Sequence, residues 1–75
     1  MNVKQTIKED IKYSTSTLNR CKARLEDLNK ALVTAKKNKN TKTIKYLNEN
    51  IKSNTLVSNS YEKDLVVLQA ILAEQ

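Results

Sequence analysis

The stretch "AKKNKNTKTIKY", residues 35–46, lies at the middle of a 75-residue chain and separates two long stripes of apolar residues. It contains five lysines and no acidic residue. It also contains Asn38, Asn40 and Thr41, residue types that favour turns and helix ends. We therefore interpret it first as a corner at which the chain reverses, and second as a candidate contact for phosphate groups.

The apolar stripes on either side of the corner have steps that alternate between three and four residues, the heptad spacing of packed helices. The first stripe, interrupted at Ser14, consists of Ile7, Ile11, Ser14, Leu18, Cys21, Leu25, Leu28, Leu32 and Ala35. The second consists of Ile44, Leu47, Ile51, Asn54, Ser58, Tyr61, Leu65, Leu68 and Leu72. If the chain folds back at the corner, facing residue numbers sum to about 79, so the two stripes meet along their whole length. The sequence predicts an all-α fold, an antiparallel two-helix hairpin of coiled-coil type.

The hairpin is expected to be one domain over residues 1–75, with helix one at about 3–37, the turn at about 38–41 and helix two at about 42–74. The chain has no glycine, so Asn38 or Asn40 is expected to take the left-handed conformation that ends helix one. Asn40 or Thr41 is expected to cap helix two. Residues 53–60, "SNTLVSNS", are poor helix formers, and an alternative therefore breaks helix two near Asn59 into a three-helix version.

Several function classes have little support in the residue types present. There is no histidine and no glycine-rich phosphate loop, so we expect neither an enzyme nor a cofactor. A single cysteine without histidine does not provide a usual zinc ligand set. We interpret the polar stripe positions as a device that fixes helix register, so no small-molecule ligand is expected. No stretch approaches the ~20 apolar residues of a membrane-spanning helix, and the expected location is cytoplasmic, in the host cytoplasm if a phage encodes the protein.

A candidate protein-binding surface lies near the end of helix two. The stretch "LVVLQAILA", residues 65–73, has eight apolar residues in nine, but only Leu65, Leu68 and Leu72 belong to the stripe. The apolar residues expected to point away from helix one are Leu56, Val66, Val67 and Ala70. Because a hairpin cannot bury both faces of helix two, we expect self-association into a helical bundle, with a dimer favoured, or docking on another protein.

Positive charge is concentrated in the first half of the chain. The net charge is +6, and residues 1–39 contain ten basic and four acidic residues, whereas residues 40–75 contain four of each. The candidate polyanion contacts are Lys36, Lys37, Lys39, Lys42 and Lys45. Lysines that follow helix one also face the negative end of its dipole, which explains much of the cluster without a ligand.

These features favour a small non-catalytic protein that binds another macromolecule. The leading hypothesis is a regulator or inhibitor from a phage or another mobile element that docks on a host protein. One alternative is a dimeric basic hairpin that binds RNA or DNA. In architecture alone this is similar to plasmid copy-control hairpins that bind RNA, although no shared motif carries residues over. Another alternative is a structural component of a larger assembly.

Overall fold

The chain folds into two long helices joined by a three-residue turn. The computed structural model describes residues 2–74 and contains α1 (Val3–Lys37) and α2 (Thr41–Glu74), which pack against each other as an antiparallel hairpin. The hairpin measures 54 × 16 × 14 Å. The prediction of an all-α helical hairpin is confirmed. The alternative with a break near Asn59 is wrong, because α2 is continuous through this residue.

Helix α2 passes through its polar segment without a break because several side chains bond to the preceding turn. The Asn54 amide donates to the carbonyl oxygen of Asn50 at 2.8 Å, and the Thr55 hydroxyl donates to that of Ile51 at 2.7 Å. Such bonds satisfy the polar side chains while the helical backbone remains intact. The seam, to which Asn54 itself belongs, supplies packing that compensates for the weak helix propensity of this segment.

The core is a single seam between the two helices, formed by the two predicted stripes. Every stripe position is buried or half-buried, and the buried apolar residues are Ile7, Leu18, Ala35 and Leu47. Two polar residues, Ser14 and Ser58, are also buried in the seam. No side chain of residues 2–74 is less than 2 % exposed. The core is therefore one layer of side chains deep, with solvent on both sides.

The turn follows the hydrogen-bond pattern of a Schellman motif. The backbone amide of Asn40 donates to the carbonyl oxygen of Ala35 at 3.1 Å, and the amide of Lys39 donates to that of Lys36 at 3.2 Å. Lys39 takes the left-handed conformation with φ 54°, whereas Asn38 is right-handed with φ −87°. The expectation that Asn38 or Asn40 would be left-handed is wrong. The motif places this conformation at the first residue after the C-cap, and Lys39 occupies that place.

Asparagine side chains cap the start of both helices. The Asn2 side chain accepts a hydrogen bond from the backbone amide of Lys4 at 2.9 Å. At the other end of the hairpin, Asn40 Oδ1 accepts from the backbone amide of Thr43 at 3.2 Å. Of the two caps considered for helix two, Asn40 is the one formed. The turn is therefore fixed by hydrogen bonds on both sides of Lys39.

Candidate interaction surfaces

The predicted protein-binding residues lie on the outside of α2 and form what we call the outer patch: Leu56, Val66, Val67 and Ala70. Val66 is 67 % exposed and Leu56 is 62 % exposed, which is high for apolar side chains on an ordered helix. Val67 is 56 % exposed, and Ala70 is exposed as well. Lys63 lies seven residues from both Leu56 and Ala70, on the same line of the helix. The outer patch therefore consists of an apolar cluster, Val66, Val67 and Ala70, and of Leu56, which the exposed polar residues Asn59 and Lys63 separate from it.

A groove runs beside the seam near the end of the hairpin that is opposite the turn. Its lining residues are Asp10, Tyr13, Ser14, Asp64, Val67 and Leu68. Asp10 belongs to α1 and Asp64 to α2, so the groove brings two carboxylates from opposite helices to one side of the hairpin. Val67 also lines a shallow depression on the outer patch together with Asn59, Glu62, Lys63 and Val66. The side chain of Val67 thus forms the ridge between the groove and the outer patch.

Six more large apolar side chains are exposed that were not predicted as contacts. They are Val3, Tyr13, Val33, Tyr46, Val57 and Ile71. Val57 and Ile71 lie two heptads apart on one line of α2, immediately beside the seam. The spacing of Val57 and Ile71 can be read from the sequence. It indicates a separate surface only when helix positions beside the seam are distinguished from positions opposite the seam.

The phenols of Tyr13 and Tyr61 lie close together where the groove meets the seam. The pKa of Tyr61 is raised above its usual value, first by the phenol of Tyr13 and then by desolvation, with smaller effects of Cys21 and Asp64. Cys21 is a half-buried free thiol in the same region. The polar seam residues Cys21 and Tyr61 are thus close to Tyr13, which lines the groove.

The predicted polyanion contacts surround the turn and form what we call the basic corner: Lys36, Lys37, Lys39, Lys42 and Lys45. All five are exposed. The salt bridges within residues 2–74 join Lys22 to Glu62 at 3.6 Å and Lys30 to Glu26 at 3.3 Å, and neither involves the basic corner. The basic corner is therefore a cluster of solvated ammonium groups.

The dipole of α1 accounts for only part of the basic corner. Lys36 and Lys37 lie in the last turn of α1, where the negative end of the dipole favours cations. Lys42 and Lys45 lie near the start of α2, whose first turn contains no acidic residue. The positive end of a helix dipole disfavours ammonium groups at that position. Neither the helix dipole nor an acidic residue in the first turn of α2 therefore stabilises Lys42 and Lys45.

Within residues 2–74 there is no group of three or more histidine, cysteine or acidic side chains arranged to hold a metal ion. Neither described helix is long and apolar enough to cross a membrane. In comparisons with known proteins, no family model, no curated protein and no solved structure matches the chain.

Proposed function

We propose that this hairpin is a small non-catalytic protein that acts by binding a protein partner through the outer patch. The observation that carries the proposal is the exposure of Leu56 and Val66 on a helix whose opposite side already forms the seam. No rearrangement within the hairpin covers these side chains without opening the seam. Covering them with another protein removes apolar surface from water, at roughly 25 cal/mol for each Å² buried.

The spacing of the outer patch fits docking along a helix. Val66 and Ala70 are four residues apart and therefore adjacent on the helix surface. Leu56 lies about 21 Å from Ala70 along the axis, a length typical of a helix lying in a groove. Lys63 stands between them, so a complementary partner would present an acidic group opposite its ammonium group.

The biological role that we propose is that of a regulator or inhibitor encoded by a phage or another mobile element, with a host protein as its target. The high lysine content and the net charge of +6 support this origin. The residue types present supply no evident catalytic group, which leaves binding as the means of action. The partner would be bound in the host cytoplasm.

The test compares charge substitutions at two exposed valines. Val66→Glu places a carboxylate on the outer patch, whereas Val33→Glu places one on α1, where Val33 is 56 % exposed. Both variants should retain the helical circular dichroism of the wild type. In pull-downs from a nuclease-treated lysate, Val66→Glu should lose a captured protein that the wild type and Val33→Glu both retain. Desolvating the introduced carboxylate costs several kcal/mol, enough for a hundredfold loss of affinity.

Equal capture by the two valine variants and the wild type would contradict the proposal. Loss of all capture after nuclease treatment would also contradict it, since nucleic acid would then be bridging the bait and the captured protein. A folded Val66→Glu variant is required for either comparison, and the circular dichroism provides that check.

A second function, binding of RNA or DNA by the basic corner, is favoured by Lys42 and Lys45, which the dipole of α1 does not explain. The test substitutes glutamine for four lysines, Lys36, Lys37, Lys39 and Lys42. Affinity for duplex DNA should fall with salt along a log–log slope of about −0.9 for each phosphate neutralised, and the quadruple variant should flatten that slope. Absence of binding to RNA and DNA at low salt would remove this function.

A further inference from the structure

The isolated hairpin exposes more surface than its mass requires. Its accessible surface is 5829 Å², whereas a compact monomer of 8.6 kDa exposes about 4,700 Å². The excess, roughly 1,100 Å², is close to the ~800 Å² that each partner buries in a standard protein interface. The radius of gyration, 16.9 Å, also exceeds the ~11 Å of a compact domain of this length. One added layer of protein would make the particle compact.

The groove belongs to a longer surface that we call the lateral face. On α1 this surface follows the heptad positions beside the seam, and on α2 it follows the corresponding positions on the same side. Its apolar and charged members are Val3, Asp10, Tyr13, Arg20, Arg24, Asp27, Ala31, Tyr46, Val57, Asp64, Val67, Ile71 and Glu74. All of these residues are exposed, and the lining of the groove shows that both helices contribute to it. Only Val67 is shared with the outer patch.

Charge changes sign along the lateral face. At 1.5 Å per residue, and measured from the level of Val3, Asp10 lies at about 10 Å and Asp64 at about 18 Å. The guanidinium-bearing residues follow, with Arg20 at about 26 Å and Arg24 at about 32 Å. An acidic band thus lies towards the end of the hairpin that is opposite the turn. A basic band follows it near the middle of the hairpin.

We propose that a second copy of this chain docks on the lateral face, with the two basic corners at opposite ends of a four-helix bundle. A two-fold axis about 21 Å from the level of Val3 sets Asp10 opposite Arg24 of the second copy, and each pair occurs twice. The same axis sets Asp64 near the level of the second copy's Arg20. A single position of the axis therefore brings each acidic residue of the groove to the level of an arginine of the second copy.

The apolar residues of the lateral face agree with the same axis. Val67 lies about 14 Å and Val57 about 28 Å from the level of Val3, so the axis sets them opposite each other across the two copies. Val3 falls opposite the level of Ala31. Of the other acidic residues of the face, Glu74 falls opposite the level of Asn50, and Asp27 falls about 4 Å along the bundle from the level of the second copy's Asp10. The hairpins overlap along about 42 Å, most of their 54 Å length.

The arrangement with both basic corners at the same end is disfavoured by charge. It gathers Asp10 and Asp64 of both copies into one acidic band and the arginines of both copies into one basic band. Like charges placed across an interface select against that orientation. The charge order of the lateral face therefore specifies orientation as well as contact.

Charge reversal tests both the face and the orientation. Asp10→Arg and Arg24→Asp each replace the two symmetric attractions with two repulsions, so each variant alone should dimerise at least about tenfold more weakly than the wild type. In an equimolar mixture, the introduced arginine faces the introduced aspartate, and the remaining Arg24 faces the remaining Asp10. The mixture should therefore restore the dimer. Sedimentation equilibrium at micromolar concentrations measures the dissociation constants, and circular dichroism confirms that the variants are folded.

A wild type that is monomeric at these concentrations would overturn the proposal. So would variants that dimerise as well as the wild type, because another face would then form the contact. Tighter dimerisation of Asp10→Arg would indicate the same-end arrangement and would likewise overturn it. Val66→Glu should leave the dissociation constant unchanged, so these results do not depend on whether the outer patch binds a host protein.

Discussion

The amide of Asn40 bonds to the carbonyl oxygen of Ala35 across a lysine with φ 54°, where glycine is the residue most often found. A side chain with a Cβ atom is strained in that conformation, and glycine is not. We therefore expect Lys39→Gly to raise the free energy of unfolding by about 1 kcal/mol, as measured by urea denaturation. Lys39→Ala is the control, since it removes the charge and retains the strain. Equal stabilisation by both substitutions would assign the effect to charge.

The buried hydroxyl of Ser58 provides a second prediction. This side chain is 5 % exposed, and its Oγ atom has no hydrogen-bond partner within the described residues. A buried hydroxyl without a partner costs about 1–3 kcal/mol, so Ser58→Ala should stabilise the hairpin by about 1 kcal/mol. Ser53→Ala, at an exposed position of the same helix, controls for the higher helix propensity of alanine. If the two variants have the same stability, the Ser58 hydroxyl is satisfied in solution.

Neighbouring positions of α2 should separate folding from surface contacts. Leu68 is half-buried in the seam, so Leu68→Glu should remove most of the helical circular dichroism. A core of this size supplies only ~3–5 kcal/mol, and burying a lone carboxylate costs a comparable amount. Val66→Glu, at a position that is 67 % exposed, should keep the helical signal. A Leu68→Glu variant as helical as the wild type would show that the seam register is wrong.

The raised pKa of Tyr61 provides a prediction for alkaline pH. Because the folded protein holds this proton more tightly than the unfolded chain does, the stabilisation is complete below the ordinary pKa of 10.0 and is lost as pH rises through the higher folded value. Tyr13 is the largest cause of the shift, so Tyr13→Phe should lower the pKa of Tyr61 towards its ordinary value. Tyrosinate absorbance measures the titration, with Tyr46→Phe as the control. An unchanged Tyr61 titration in Tyr13→Phe would contradict the contact between the two phenols.

The seam was predictable because burial in a two-helix hairpin follows directly from heptad spacing. The two stripes are independent features of the sequence. Because they match along their whole length in an antiparallel pairing, that pairing specifies the facing residue for each position. Even Ser58, a poor seam residue by its chemistry, was assigned correctly by its place in the repeat.

Features that depend on backbone hydrogen bonding or on several helix faces were harder to predict. Residue preference favoured an asparagine for the left-handed position, but the hydrogen bonds to Ala35 and Lys36 require it at Lys39. The lateral face was missed because residues were sorted only as facing the seam or facing away from it. The contact between Tyr13 and Tyr61 depends on how far two long side chains reach between helices, which residue spacing does not specify.

The antiparallel seam also implies an order in which the hairpin folds. Near the turn, Ala35 and Ile44 are nine residues apart in sequence, whereas Ile7 and Leu72, at the other end, are sixty-five apart. Closing the longer loop first would cost roughly 1.8 kcal/mol more in chain entropy. The helices should therefore associate first beside the turn and then pair progressively towards Val3 and Glu74. The left-handed lysine lies within the segment that forms first, so relieving its strain should accelerate folding more than it slows unfolding.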